Sequence, residues 1–185
     1  MKRTLLSIAF TAAASSMIAQ DCSELFISEY VEGNFNNKAL EIFNPTLSAI
    51  DLSTYRVVRW SNGSTTSDLD TRYTQPLSGT IEPSGTFVLA LDKRDPNGTG
   101  NDTILFPELL SITNAAVSAG AGGFYSPNYD SGDVGSRTIY HNGDDAISIQ
   151  KDNGSGYVNV DIFGVIGEQP LPASGTSTAA WTDVF

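Results

Sequence analysis

Residues 25–43 read Leu25-Phe26-Ile27-Ser28-Glu29-Tyr30-Val31-Glu32-Gly33-Asn34-Phe35-Asn36-Asn37-Lys38-Ala39-Leu40-Glu41-Ile42-Phe43, two β-rich runs on either side of a turn-rich segment. Glycine and asparagine supply the backbone freedom that a chain reversal needs, so Leu25 to Val31 and Ala39 to Phe43 predict an antiparallel hairpin. Centred on Phe35, that hairpin sets Glu29 directly opposite Glu41. Like charges so placed destabilise a strand pair. The mundane resolution is neutralisation by Lys38 or an arginine on a solvated face; the sharper one is a raised carboxyl pKa or a bound cation.

Outward from this hairpin the pattern repeats. Tyr55 to Trp60, Leu77 to Ile81 and Thr86 to Leu91 are short β-rich runs, the last two separated by a turn at Pro83-Ser84-Gly85. Ala146 to Lys151 and Tyr157 to Phe163 predict a second hairpin through Asp152-Asn153-Gly154-Ser155-Gly156. About seven strands at this spacing, with no helical periodicity held for three turns, predict an all-β sandwich. Asp92 to Asp102 and Ser118 to Ser136 read as polar, glycine-rich loop insertions, and Pro107 to Val117 as one helical turn. Loops of this kind are where a sandwich usually carries its binding function.

The first twenty residues have the layout of a secretory signal: basic Lys2 and Arg3, an apolar stretch from Leu5 to Ala14, and small residues from Ser15. Residues 1–20 are therefore expected to be a signal peptide and 21–185 the folded module, placed outside the cell or on its surface. No later stretch reaches the ~18 apolar residues of a membrane helix. Losing Lys2 and Arg3 from the 10 basic residues leaves 8 against 21 acidic ones, a formal charge of −13. Such a surface repels phosphates, so direct nucleic-acid binding is not expected. Cys22 is the only cysteine, which excludes an internal disulfide, and Gln20 and Asp21 before it do not form a lipobox.

The order of these motifs resembles a known family. Leu25 to Gly33 with Asn36 to Asn44, then Ile50-Asp51-Leu52-Ser53, Leu77 to Ile81 with Pro83 to Ala90, and Asn142 to Ile147 with Asp161-Ile162-Phe163-Gly164, is similar to lamin tail domains of secreted bacterial proteins. The resemblance implies an immunoglobulin-like sandwich, without activity of its own, that serves attachment or recognition beside a secreted nuclease, phosphatase or other hydrolase domain. Its partner would be an extracellular ligand or that neighbouring catalytic domain. The chain departs from the family in a long insertion, Ser111 to Tyr140, and in ending at Trp181 to Phe185 where a closing strand is expected. That predicts the N-terminal part of a larger protein.

Candidate chemistry is sparse. Asp92, Asp95, Asn97 and Asp102 offer the hard oxygens that calcium favours, but Thr99 and Phe106 stand where a calcium loop wants an acidic or amide side chain and a glutamate. Lys93 and Arg94 also oppose a cation there. Asp144 and Asp145, after Asn142-Gly143, either cap a turn or offer a cation two carboxylates. His141 is the sole histidine, and without a Gly-x-Ser-x-Gly elbow it makes no credible triad. Tyr125, Tyr129, Tyr140 and Trp60 are aromatic candidates for ligand stacking. Asn62, Asn97, Asn101 and Asn153 begin glycosylation tripeptides that composition alone explains.

The expected function is a non-catalytic binding or targeting module needing no cofactor, with calcium the one ion its loops invite. A metal-dependent secreted hydrolase using Glu29, Glu41, Asp144 and Asp145, and a calcium-stabilised adhesion domain, are the two alternatives.

Overall fold

A computed structural model describes residues 23–100, 103, 105–114, 122–127, 131–170 and 180–181. The signal segment, Cys22, Asn101, Asp102 and Tyr129 lie outside the described residues.

The chain is an all-β, immunoglobulin-like sandwich. Strands β1 (Phe26–Glu32), β2 (Lys38–Phe43), β7 (Thr86–Leu91) and β8 (Gly122–Ser126) form one sheet in the order β1-β2-β7-β8. The other runs β10-β9-β4-β5, from β10 (Tyr157–Phe163), β9 (Ala146–Asp152), β4 (Tyr55–Trp60) and β5 (Thr74–Pro76). A two-stranded ribbon joins β3 (Ile50–Asp51) to β6 (Thr80–Ile81).

Period-two alternation decides what each strand buries. Leu40 and Ile42 of β2, Phe87, Leu89 and Leu91 of β7, Tyr55 and Val57 of β4, and Ile147 and Ile149 of β9 meet in one core between the sheets. The intervening residues point outward and are covered separately. Ala39, Val88 and Ala90 pack with Leu105 and with Leu109 and Leu110 of helix α1 (Pro107–Asn114). Val58, Trp60 and Ala146 pack with Ile166.

Between β1 and β2 the register runs Glu32↔Lys38, Val31↔Ala39, Tyr30↔Leu40 and Glu29↔Glu41, then slips at a bulge between Ile27 and Glu29. The turn holds two successive residues in the left-handed region, Phe35 at φ 54° and Asn36 at φ 58°. A bulky aromatic resists that conformation. It is pinned by a hydrogen bond from Lys93 Nζ to Phe35 O and by one of 2.9 Å from Asn36 Nδ2 to Tyr140 Oη.

The first and last strands join the two sheets along one side. Ile27 N–H donates to Asp161 Oδ2 at 2.7 Å, and the Tyr30 ring stacks on Phe163 at 4.4 Å between centroids.

Three expectations need correction. The segment from Ser118 to Ser136 is not wholly loop, because Gly122–Ser126 pairs parallel to β7 as an edge strand. Pro107 begins an eight-residue helix rather than a single turn, since the apolar side chains of Leu109 and Leu110 find the outer face of β7. Only Thr80–Ile81 of the run from Leu77 is a strand, and it pairs with β3.

Candidate functional site

The alternation that builds the core continues beyond it at one end. Lys38 follows the inward parity of Leu40 and Ile42, Arg59 that of Tyr55 and Val57, Lys93 that of Leu89 and Leu91, and Asp145 that of Ile147 and Ile149. Four central strands thus each extend to a charged residue at the same mouth of the sandwich. Lys38 and Arg59 are each only 6% exposed, and Asp145 only 1%. Burying charge this deeply is tolerated only when hydrogen bonds and counter-charges replace water.

They do so here through the 140–145 segment. Lys38 Nζ donates to His141 O and, at 3.4 Å, to Glu32 Oε1. Arg59 donates from Nη1 to Tyr140 O and from Nη2 to Ser61 Oγ at 3.3 Å. Its buried Nε has no hydrogen-bond partner among the described residues and lies 3.8 Å from Asp145 Oδ2. Asp145 in turn accepts from Asn62 N–H at 2.9 Å and Asn142 N–H at 3.2 Å. With its nitrogen toward the carboxylates, the Asn142 amide donates to Asp144 Oδ1 at 2.6 Å and Asp145 Oδ2 at 2.8 Å. Gln169 Nε2 donates to Asp144 Oδ2 at 2.6 Å. Burial raises the Asp145 carboxyl above its ordinary range, against the pull of Arg59 and the Asn62 N–H.

Over this frame opens a cleft of about 220 Å³ lined by Asn36, Lys38, Arg59, Ser61, Asn62, Tyr140 and Asn142. No carboxylate lines it. Its walls offer two cations, three amides and two hydroxyls, the donor set of a site for a polar or anionic ligand. Beside it, Arg59 and Arg137 both approach the Tyr73 ring. Burial works to raise that phenol, but the hydrogen-bonded Arg137 and nearby Arg59 bring it below its ordinary value.

The residues singled out from sequence scatter rather than converge. Glu29 faces Glu41 across the strands, and Glu41 Oε1 accepts from Ser28 Oγ at 2.7 Å. Lys38 does not neutralise them, contrary to expectation, because its inward parity commits it to Glu32 and His141 O. Asp92 is gripped by Arg94, whose Nε and Nη2 donate at 2.8 and 2.7 Å and hold its carboxyl below the ordinary range. Asp95 Oδ1 caps its own turn through Asn97 N–H at 2.8 Å. Among the described residues no three of His, Cys, Asp and Glu cluster as metal ligands.

Among the aromatic candidates, Tyr140 lines the cleft, and Tyr125 is roofed by Arg94 at 4.4 Å from its ring centroid. Trp60 is buried, its Nε1 donating to Ser148 Oγ at 2.9 Å, and so is no stacking platform. An exposed ring at this end is Phe35, next to Asn36 and 55% exposed. Neither it nor the pairing of Lys38 with Arg59 was anticipated. Carrying the alternation to the end of each strand would have found the two cations.

His141 is fully buried between Tyr30, Lys38 and Arg59, with Nε2 donating to Val31 O at 3.0 Å. Burial, aided by Lys38 and Arg59, pushes its pKa down to about 3. Above the unfolded value near 6.5 both states are neutral; below it the unfolded imidazole gains a proton that the folded one refuses. Stability should therefore fall by about 1.4 kcal/mol per pH unit from pH ~6.5 toward pH ~3. Asp145, with its raised pKa, works in the opposite direction, whereas Asp70 and Asp92, with lowered values, add to the loss only in stronger acid. Urea titrations between pH 7 and 4 should show this slope flattened in His141→Gln, which keeps a donor for Val31 O. An unchanged slope in that variant would refute the assignment.

Comparison with known proteins gives a family and a distant structural likeness. The sequence profile described as Lamin Tail Domain matches residues 19–166. No curated protein matches. Among solved structures, a DUF4876 family protein from Bacteroides thetaiotaomicron is similar at 13% identity and a TM-score of 0.39, over 72% of this chain and 44% of that one. The chain thus spans under half the length of that protein.

Proposed function

This chain belongs to the lamin tail domain family, a family of non-catalytic immunoglobulin-like domains, and from that premise we propose that it is the recognition module of an exported protein. The observation that carries the reading is the cleft at the sandwich mouth, where Lys38 and Arg59 are held in place by backbone carbonyls and a ring of amides and hydroxyls surrounds them. Rigid strands fix the two cations, and loops supply the neutral hydrogen-bonding groups, which is how a sandwich usually presents a binding site. The basic and apolar start of the chain, Lys2 to Ala14, supports export with removal of a leader near residue 20. A role beside a secreted hydrolase domain fits a module whose own carboxylates are scattered or committed to arginine and backbone partners.

Two measurements test this. Mass spectrometry of the secreted product should find a chain beginning near Asp21. The purified product should be retained on insoluble cell-envelope polysaccharide while turning over neither phosphodiester nor phosphomonoester substrates, with or without calcium or magnesium. Metal-dependent turnover abolished by Asp144→Asn would replace the recognition reading with an enzymatic one.

A further inference from the structure

The end of the sandwich opposite the mouth holds a second pocket, of about 390 Å³, at the point where the described chain begins. Ser23 and Glu24 form part of its wall, with Asp51 at the end of β3, Ser48 just before that strand, Thr54 just after it, and Lys151 near the far end of β9. Leu25 is buried in the core, and Glu24 is tied on both oxygens, because Tyr55 Oη donates to Oε2 at 2.6 Å and Lys151 Nζ donates to Oε1. These anchors fix where the preceding residues meet the pocket.

The charges lining this pocket do not balance. Glu24 is matched by Lys151, but Asp51 has no cation among the described residues. Its Oδ1 accepts from Ser53 N–H at 2.9 Å, and its Oδ2 has no hydrogen-bond partner among those residues. A compact cation suits the place, and an ammonium carries three donors for Asp51 and for the Ser48 and Thr54 hydroxyls beside it.

The chain itself supplies one. Removal of the leader near residue 20, on which this inference rests and which belongs to the export proposed above, frees an α-ammonium at Asp21, two residues before Ser23. Two residues span at most about 7 Å, so that charge stays beside the pocket. A tether this short also raises its effective concentration far above that of a free amine. Before cleavage the same nitrogen is a neutral amide.

We propose that the α-ammonium freed by leader removal seats in this pocket against Asp51, so that processing itself fastens the start of the folded module. The processed chain gains an ion pair that the leader-bearing chain lacks. The charged or titratable groups facing the seat are Glu24, Asp51, Tyr55 and Lys151. Burial lifts the Tyr55 phenol and the Glu24 hydrogen bond lifts Lys151, so both of these titrate above the range of an α-amine.

The test is scanning calorimetry of four mature chains beginning at Asp21, with the α-amine free or acetylated, in the wild type and in Asp51→Asn. Asparagine keeps an acceptor for Ser53 N–H and removes the charge. The Asp21 carboxylate is common to all four chains and cancels in the cycle. Acetylation is expected to lower the melting temperature by about 2–3 °C in the wild type and by less than about 1 °C in Asp51→Asn. Seating raises the α-amine's pKa above its unfolded value of about 7.7–8.0, so its contribution is full below that value and is lost above the folded one. The wild-type difference should therefore be complete at pH ~7 and gone by pH ~9.5. No loss on acetylation, equal losses in the two backgrounds, or a difference that persists at pH ~9.5 overturns the seat and leaves the export reading standing. A secreted product that mass spectrometry finds still carrying its leader overturns the export reading and this inference with it.

Discussion

Replacing Trp181 by alanine is expected to lower folding stability by about 3–5 kcal/mol, the range for deleting a large buried aromatic. Trp181 is 4% exposed, its backbone N–H, which alanine would keep, donates to Gly143 O at 2.9 Å, and its ring lies flush against Gly164. A Cβ at Gly164 would stand 2.6 Å from the indole Nε1 on a backbone with φ +80°. Gly164→Ala should therefore destabilise through both clash and backbone strain. In a Trp181→Ala background only the strain remains, about 1–2 kcal/mol. Denaturant unfolding of the four members of this cycle reads the coupling directly. A Trp181→Ala protein within about 1 kcal/mol of the wild type, where ordinary substitutions fall, would mean that the indole contributes little to the fold.

The second large effect is at Asp145. Alanine there strips Arg59 of its buried counter-charge and leaves the Asn62 and Asn142 N–H groups without their acceptor. Breaking a buried pair from one side costs about 3–5 kcal/mol, because the surviving charge stays desolvated. Asp145→Asn keeps an acceptor for Asn62 N–H and should lose less, so the difference between the two variants isolates the charge. Removing the stranded cation as well, in Asp145→Ala with Arg59→Met, should recover part of the loss. Thermal melts check all three. A mild Asp145→Ala with no recovery in the double variant would show that the Arg59–Asp145 contact contributes nothing.

The parts of the fold legible in the sequence are those set by local chemistry. Turn residues on either side of Phe35 fix the first hairpin closely enough to pair Glu29 with Glu41, and Asn153 to Gly156 fix the last one. Strand β8 was not legible, because Gly122-Gly123-Phe124-Tyr125-Ser126 has the composition of a loop and becomes a strand only where the edge of β7 offers it partners. The site was legible one residue at a time but not as a set. Lys38, Arg59 and Asp145 look like ordinary surface charges until the inward parity of four separate strands is carried to one mouth. Carboxylates are numerous and so stand out in the sequence, but Asp92 serves an arginine, Asp95 its own turn, and Asp145 a backbone N–H.

The stitch between the first and last strands sets a schedule for folding. Ile27 and Tyr30 are made early in synthesis, yet Asp161 and Phe163, which hold them against the second sheet, arrive more than 130 residues later. Contacts so distant in sequence form late, because loop closure must come before any reward. A nascent chain therefore has no route to its finished sandwich until nearly the whole module has been synthesised. On the export proposed above, that delay would keep the polypeptide threadable through a channel, and the same contact would lock the domain once both strands had emerged.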